Sequence, residues 1–392
     1  MPFRRRARKL FTLTPSRPAP ERRKGVFFVA EQTIRDYVFS LSDEDFEELL
    51  SQARNRLARR ELGAETMEEL ALLMGRKPFC PACGASDAVR DGKARNGSQR
   101  YRCPHCGRRF GLLSTSVLSS AKASLWQWAK MCGIMAYNVP LDAVACVIGV
   151  SHNTALLMRR KLLETAGDYQ KGVTLSGKIY IDEVYEPDSA RPKDHFGPNV
   201  RGLSKDKVCV FVAIDESKRV VAFQIGHGAP TSSEVREALL PHLGEGAELI
   251  VHDGLLAHRE AIRRSGLPDE VHLSKPRTKE GLEAMLLINS CCSWLQRFIS
   301  GFSGMRTEYL QDYLNWFAFS LHVKLISERG ACEATIMGHV AASMATIKRR
   351  GIGEKRRKSR AAIEAKRLPG RKKSSPKGRD KESKEPKNRD GS

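Results

Sequence analysis

GKIYIDEVYEP, residues 177–187, is the stretch on which the fold turns. Its β-branched and aromatic residues alternate in strand fashion. An acid, Asp182, sits in the middle of this otherwise apolar run, where burial is costly unless the carboxylate is paired or metal-bound. Downstream, VCVFVAIDE (208–216) and RVVAFQIGHG (219–228) read as two more strands joined by a short turn at Glu216–Lys218. AELIVHDG (247–254) and EVHLSK (270–275) supply a fourth and a fifth. Helical spacing marks 232–243 and 257–266, and two long helices, 278–299 and 307–326, close the region. A hairpin-rich start followed by alternating helices and strands predicts a mixed five-stranded α/β sheet over 171–330.

Asp253 ends the fourth strand, with Gly254 directly after it. Strand ends are where open α/β sheets gather ligands. A third ligand is expected from the helix at 278–299. There Leu282, Met285, Leu286, Asn289, Cys292, Ser293 and Gln296 share one face at 3/4 spacing, and Asn289 could offer an amide oxygen. Glu283 is the alternative on another face. Glu183 and Asp188 are alternates to Asp182, with solvent exposure as their plainer reading.

Upstream, Cys80-Pro-Ala-Cys83 and Cys103-Pro-His-Cys106 enclose 19 residues, the spacing of a structural zinc site. Four thiolates close a tetrahedral site and leave no position for catalysis. One Zn²⁺ on Cys80, Cys83, Cys103 and Cys106 is therefore expected within a ribbon over 75–112, with His105 left at the surface. The ribbon is rich in arginine, which suits nucleic acid. Leu141–Ile148, a turn at Gly149-Val150-Ser151, and His152–Leu162 read as a helix-turn-helix within 113–170. Ser151 caps the second helix. Val144, Ile148, Val150, Ala155 and Leu156 are expected to bury the pair, and His152, Asn153, Thr154, Arg159, Arg160 and Lys161 to face DNA. A helical region over 31–74 precedes the ribbon, with Ser42 ahead of a Phe46, Leu49, Leu50 helical spacing and Thr66 and Glu69 as a capping box.

The formal net charge of +22 is carried by the ends: +8 lies in residues 1–25, +13 in 348–392, and about +1 in the rest. A disordered basic arm (1–30) and a disordered basic tail (345–392) are expected, suited to phosphate contact with counterion release. No apolar run is long enough to span a bilayer, about 20 residues. The six cysteines outside the ribbon are scattered, which fits a reducing cytoplasm.

Together the ribbon, the helix-turn-helix, YIDEVYE (180–186), IVHDG (250–254), INSCCSWLQRF (288–298) and GMRTEYLQDYLNWF (304–317) resemble the ISXO-type branch of RNase H-like insertion-sequence transposases over roughly 75–325. The resemblance implies a catalytic triad of Asp182, Asp253 and Asn289 holding two Mg²⁺ or Mn²⁺ ions. It also implies strand cleavage and strand transfer on double-stranded DNA at transposon ends and target, by a dimer or larger assembly at synapsis, in a bacterial, nucleoid-associated setting. The family run N-S-x-H-S-x-x-K is altered: Cys292 stands where His is usual and Gln296 where Lys is usual. Arg297 is the nearest substitute for that DNA-contacting Lys, one position on and about 100° around the helix. A decayed transposase acting as a DNA-binding regulator and a nuclease without strand transfer are the alternatives.

Overall fold

The computed structural model describes residues 26–119, 121–137, 139–188, 207–273, 278–302, 305–327 and 331–343. The basic tail and the arm up to residue 25 lie outside the described residues.

Helices α1 (Val26–Ser40), α2 (Asp43–Leu62) and α3 (Met67–Leu73) open the chain. Ser42 Oγ accepts the Asp45 amide at 3.2 Å, and three acids in the first turn of α2 oppose the helix dipole. Thr66 Oγ1 accepts the Glu69 amide at 3.1 Å, while the Glu69 carboxylate accepts the Glu65 amide at 2.9 Å. The box therefore reaches one residue further back than the cap itself.

Strands β1 (Val89–Lys93), β2 (Gln99–Arg102) and β3 (Arg109–Gly111) form a small antiparallel sheet. Tyr101 and Phe110 stack on it with ring centroids 6.1 Å apart. Helices α4 (Leu125–Ala136), α5 (Leu141–Ile148) and α6 (His152–Lys171) follow. The chain bends by 106° between α5 and α6, within the range of helix-turn-helix pairs. Gly149 takes the left-handed conformation at φ 68° that closes α5. No single helix among the described residues is long and apolar enough to cross a membrane.

The larger sheet contains β4 (Leu175–Pro187), β5 (Lys207–Asp215), β6 (Val220–His227), β7 (Leu243–His252) and β8 (Asp269–Val271) in the order β6-β5-β4-β7-β8. The β4–β5 and β5–β6 pairs are antiparallel, whereas β7 runs parallel to β4 and β8 parallel to β7. The mixed five-stranded sheet expected from the sequence is present. At the β5–β6 turn, fully buried Asp215 accepts the Arg219 guanidinium at 2.7 Å.

Helices α7 (Ser232–Leu239) and α8 (His258–Ser265) cover one face of the sheet. Helices α10 (Leu286–Ser300) and α11 (Leu310–Ile326) cover the other, and α12 (Cys332–Ala342) joins the core of the N-terminal helices. The helix expected over 278–299 is divided at Met285 into α9 (Lys279–Ala284) and α10. Its inward stripe is Met285, Ile288, Cys291, Cys292, Leu295 and Ile299, not the face expected from spacing. The bulky apolar side chains take the core, so Asn289, Ser293 and Gln296 are left exposed.

One apolar core joins the ribbon residues Cys80, Tyr101 and Phe110 to Trp128, Met135, Leu162, Trp316 and Ile336. Arg76, only 5 % exposed, ties this region together by donating to the Leu112, Thr115 and Ser343 carbonyls. Gln170, at the end of α6, donates to the Ala222 carbonyl and to Asn315 and accepts the Ala222 amide. These bonds anchor the helix-turn-helix on β6 and α11.

Candidate active site and metal centre

Side chains alternate across a strand, so neighbouring residues of β4 serve opposite faces of the sheet. Val184 packs in the core beneath α10 and α11, with Tyr180 beside it, while Ile179 and Ile181 pack toward α7 and α8. Asp182 therefore faces α10 and Glu183 faces α8. The parallel ladder between β4 and β7 ends at Tyr180 and Val251, and Asp182 and Asp253 each follow two residues later, near enough for the charge of Asp253 to bear on Asp182. Burial pushes the Asp182 carboxyl up to about 7, and the negative charges of Glu183 and Asp253 add to it. The Asp182 Oδ1 accepts the Glu183 amide at 2.8 Å.

Asp253 keeps 31 % of its side chain exposed, and its Oδ1 accepts the Leu255 amide at 3.0 Å. Gly254 is at φ 87°, and a Cβ there would meet Leu273 at 2.9 Å and Val271 at 3.0 Å. Only glycine makes this turn without strain. Above the two acids, burial drives the Cys292 thiol well above its ordinary range, and the negative charge of Asp182 is the next contribution. Cys292 therefore lies near enough to Asp182 to feel its charge. Asn289, one turn earlier, is exposed, and its carbonyl accepts the Ser293 hydroxyl at 2.9 Å. Glu283 belongs to the separate helix α9 and reaches Lys279 at 4.0 Å.

Spacing did not single out the opposite face. There His258, fully buried, lies 2.7 Å from Glu183 Oε1 and 3.2 Å from His252. His252 reaches Asp269 at 3.3 Å. Burial holds the His252 imidazole below its usual range, against the pull of Asp269. Glu183 is only 4 % exposed and Asp188, which pairs with His227 at 3.2 Å, only 2 %. The solvent-exposed reading of these two acids is corrected, because each is buried against an imidazole, Glu183 against buried His258 and Asp188 against half-buried His227. Strand alternation was the available signal: once Asp182 faces one way, Glu183 must meet the other core.

The four cysteines converge. Cys80 and Cys106 sulfurs lie 3.5 Å apart, as do those of Cys83 and Cys103. Sulfurs at tetrahedral corners about 2.3 Å from zinc are about 3.8 Å apart, so the donor set fits a metal ion. Two matching turns shape it. The Gly84 amide donates to the Cys80 carbonyl and the Gly107 amide to the Cys103 carbonyl, each glycine being left-handed. His105 stays outside, 61 % exposed and paired with Asp87 at 2.7 Å.

On the helix-turn-helix, Asn153 and Thr154 are exposed, and the His152 ring meets Asp142 at 2.5 Å. Lys161 corrects the expectation that it faces DNA. It is 7 % exposed, its ammonium donates to the Ser119 carbonyl at 3.1 Å, and burial lowers its pKa. Arg159 is turned onto the rings of Phe302 and Tyr313, and Arg160 onto Tyr309. Residue 161 follows Met158 by three on the inward stripe, so its stem packs rather than projects. Lys161→Ala should therefore cost about 1–3 kcal/mol of stability in a urea melt, by losing the packed stem and the bond to the half-buried Ser119 carbonyl. DNA affinity should stay within about twofold of wild type, and a large affinity loss at unchanged stability would contradict this placement. Arg297 is exposed, its Nε donating to the Ser293 carbonyl at 3.3 Å.

No family model matches the chain. Among solved structures, "Crystal structure of a pre-cleavage Mos1 transpososome" is similar at 12% identity, covering 56% of this chain and 79% of that one, with a TM-score of 0.18.

Proposed function

We propose that the chain is a transposase of the ISXO-type, RNase H-like class, which cleaves DNA at insertion-sequence ends and transfers the freed strands to a target. The observation that carries the proposal is the pair of acids, Asp182 in β4 and Asp253 just past the end of its parallel neighbour β7, close enough that the charge of Asp253 bears on Asp182. Two carboxylates are hard donors that suit Mg²⁺ or Mn²⁺, and the exposed Asn289, one turn before Cys292 on α10, is the third ligand this reading calls for. Such ions would supply activation of water, then of a DNA 3′-hydroxyl, and neutralisation of the leaving oxygen. The protein's part is positional. Asp182 is fixed within β4 by its pairing with Val212 of β5, and Asp253 by the Gly254 turn and the Leu255 amide. Buried apolar residues beneath α10 keep water from one side of the acids.

Affinity has a separate source in this reading. The helix-turn-helix presents Asn153 and Thr154, the ribbon presents arginines, and the basic arm and tail supply charge. Asn153→Ala should change preference between matched and mismatched DNA by about 1–3 kcal/mol in competition binding. Equal losses on all sequences would instead make Asn153 a backbone contact.

The test is a cleavage and strand-transfer assay with Mg²⁺ or Mn²⁺ on DNA carrying the element's own ends. In it, Asn289→Ala should be severely impaired and Glu283→Ala mild, since Glu283 sits on α9 against Lys279. The reverse order would move the third ligand to Glu283. A second reading, a DNA-binding regulator, is favoured by one feature: a buried thiol, Cys292, faces Asp182 where the family has an imidazole. Tight binding of the ends with no cleavage in either metal would select it.

A further inference from the structure

We propose that His252, Asp253 and His258 form a second metal centre, for a borderline divalent ion of the zinc, cobalt or manganese class. The proposal does not depend on DNA cleavage. It rests on hydrogen-bond accounting in a buried place. A neutral imidazole has one N–H and one bare lone pair. His258 Nε2 lies 2.7 Å from the Glu183 carboxylate, an acceptor, so its proton belongs there and Nδ1 is bare. His252 Nε2 lies 3.3 Å from the Asp269 carboxylate, and the Gly254 amide points at its Nδ1 from 3.1 Å, so that Nδ1 is bare too.

The two bare nitrogens then face each other at 3.2 Å, with Asp253 Oδ1 at 3.8 Å from His258 Nδ1. One donor atom from each of the three residues lies within 4.8 Å of the others. A contact at that distance is held either by a proton on one of the two nitrogens or by a cation that both ligate. Ligand atoms about 2.1 Å from a metal are about 3.0–3.4 Å apart along a coordination edge, which the imidazole pair matches.

The outer contacts point the same way. Metal-bound histidines donate their remote N–H to carboxylates, which fixes the tautomer and raises ligand basicity. Both histidines here are held so, by Glu183 and Asp269. Imidazole nitrogen selects borderline ions over magnesium or calcium. The histidines are 0 % and 2 % exposed, whereas Asp253 keeps 31 %, so an ion would enter past Asp253 and retain an open position there. The Gly254 amide is the competitor for the His252 lone pair.

The test uses full-length protein carrying one zinc in the ribbon, titrated with Co²⁺. Nitrogen-ligated cobalt is read by its visible d–d absorption, and cobalt misplaced in the ribbon by thiolate charge transfer. A second equivalent should bind with d–d absorption and no thiolate band. His252→Ala and His258→Ala should each abolish it, Glu183→Gln should weaken it about tenfold or more, and Asp182→Asn should leave it in place. Failure of the wild type to take up a nitrogen-ligated second equivalent would overturn the proposal. So would an undiminished band in the His252→Ala/His258→Ala double variant, or loss of the band in Asp182→Asn with both histidines intact. The wild-type and Glu183→Gln measurements decide the matter even if the histidine variants fail to fold.

Discussion

Asp182→Asn should abolish cleavage and strand transfer, by about a thousandfold or more, while DNA affinity stays near that of the wild type. A thousandfold loss corresponds to about 4 kcal/mol of transition-state stabilisation. The argument starts from position. Asp182 is a half-buried carboxylate in the central strand, beside Asp253 and beneath a helix that offers it a thiol rather than a cation. Burial and like charge push its proton affinity up to about 7, so the metal-free site is one in which negative charge is poorly compensated. Divalent ions would supply that compensation, and asparagine supplies less of the charge they need. Asp253→Asn should behave alike. The proposed function draws DNA affinity from α5–α6 and the basic ends rather than from these acids, so binding measured by fluorescence anisotropy should change little. Either variant retaining more than about a tenth of wild-type cleavage would remove the acid pair from the chemistry, as would cleavage unaffected by chelation.

The second large effect concerns the ribbon. Cys80→Ser should release zinc and unfold residues 75–112, with damage spreading into the adjoining helices. Three short strands bury little beyond Tyr101 and Phe110, too small a core to hold on its own. Structural zinc contributes about 10–16 kcal/mol in comparable modules, so its loss exceeds what the ribbon's packing can offset. Cys80 and Cys103 also sit in the core shared with Trp128 and Trp316, which transmits the loss. Metal analysis should fall from one zinc per chain to none, and limited proteolysis should cut within 75–112. Cys132→Ser makes a control, because that thiol is buried beside Met337 away from the ribbon. Full zinc retention by Cys80→Ser would refute the ligand assignment.

Local signals were legible wherever a short stretch decides its own structure. The paired Cys-x-x-Cys turns, the left-handed Gly149, the Ser42, Thr66 and Ser151 caps and the five strands follow from backbone and side-chain preferences within a few residues. The break at Met285 was not legible, because α9 and α10 carry a continuous helical pattern and only their docking divides them. Lys161 and Arg159 read as DNA-facing because charge on a recognition helix ordinarily meets solvent. Ser119, Phe302 and Tyr313, which take them in, come from distant parts of the chain.

The sequence by itself determined the clustering of the four cysteines, the sharply bent helix pair α5–α6 and the presence of acids on two apolar strands. These depend on spacing and on the cost of burying charge, which a strand of known period exposes. Only the tertiary structure decided that Asp182 and Asp253 are neighbours, since parallel pairing across 71 positions depends on sheet order and register. It also decided that Glu183 turns the other way to meet His258. A strand's period says that adjacent residues part company, but what each then meets depends on which helices cover the two faces of the sheet.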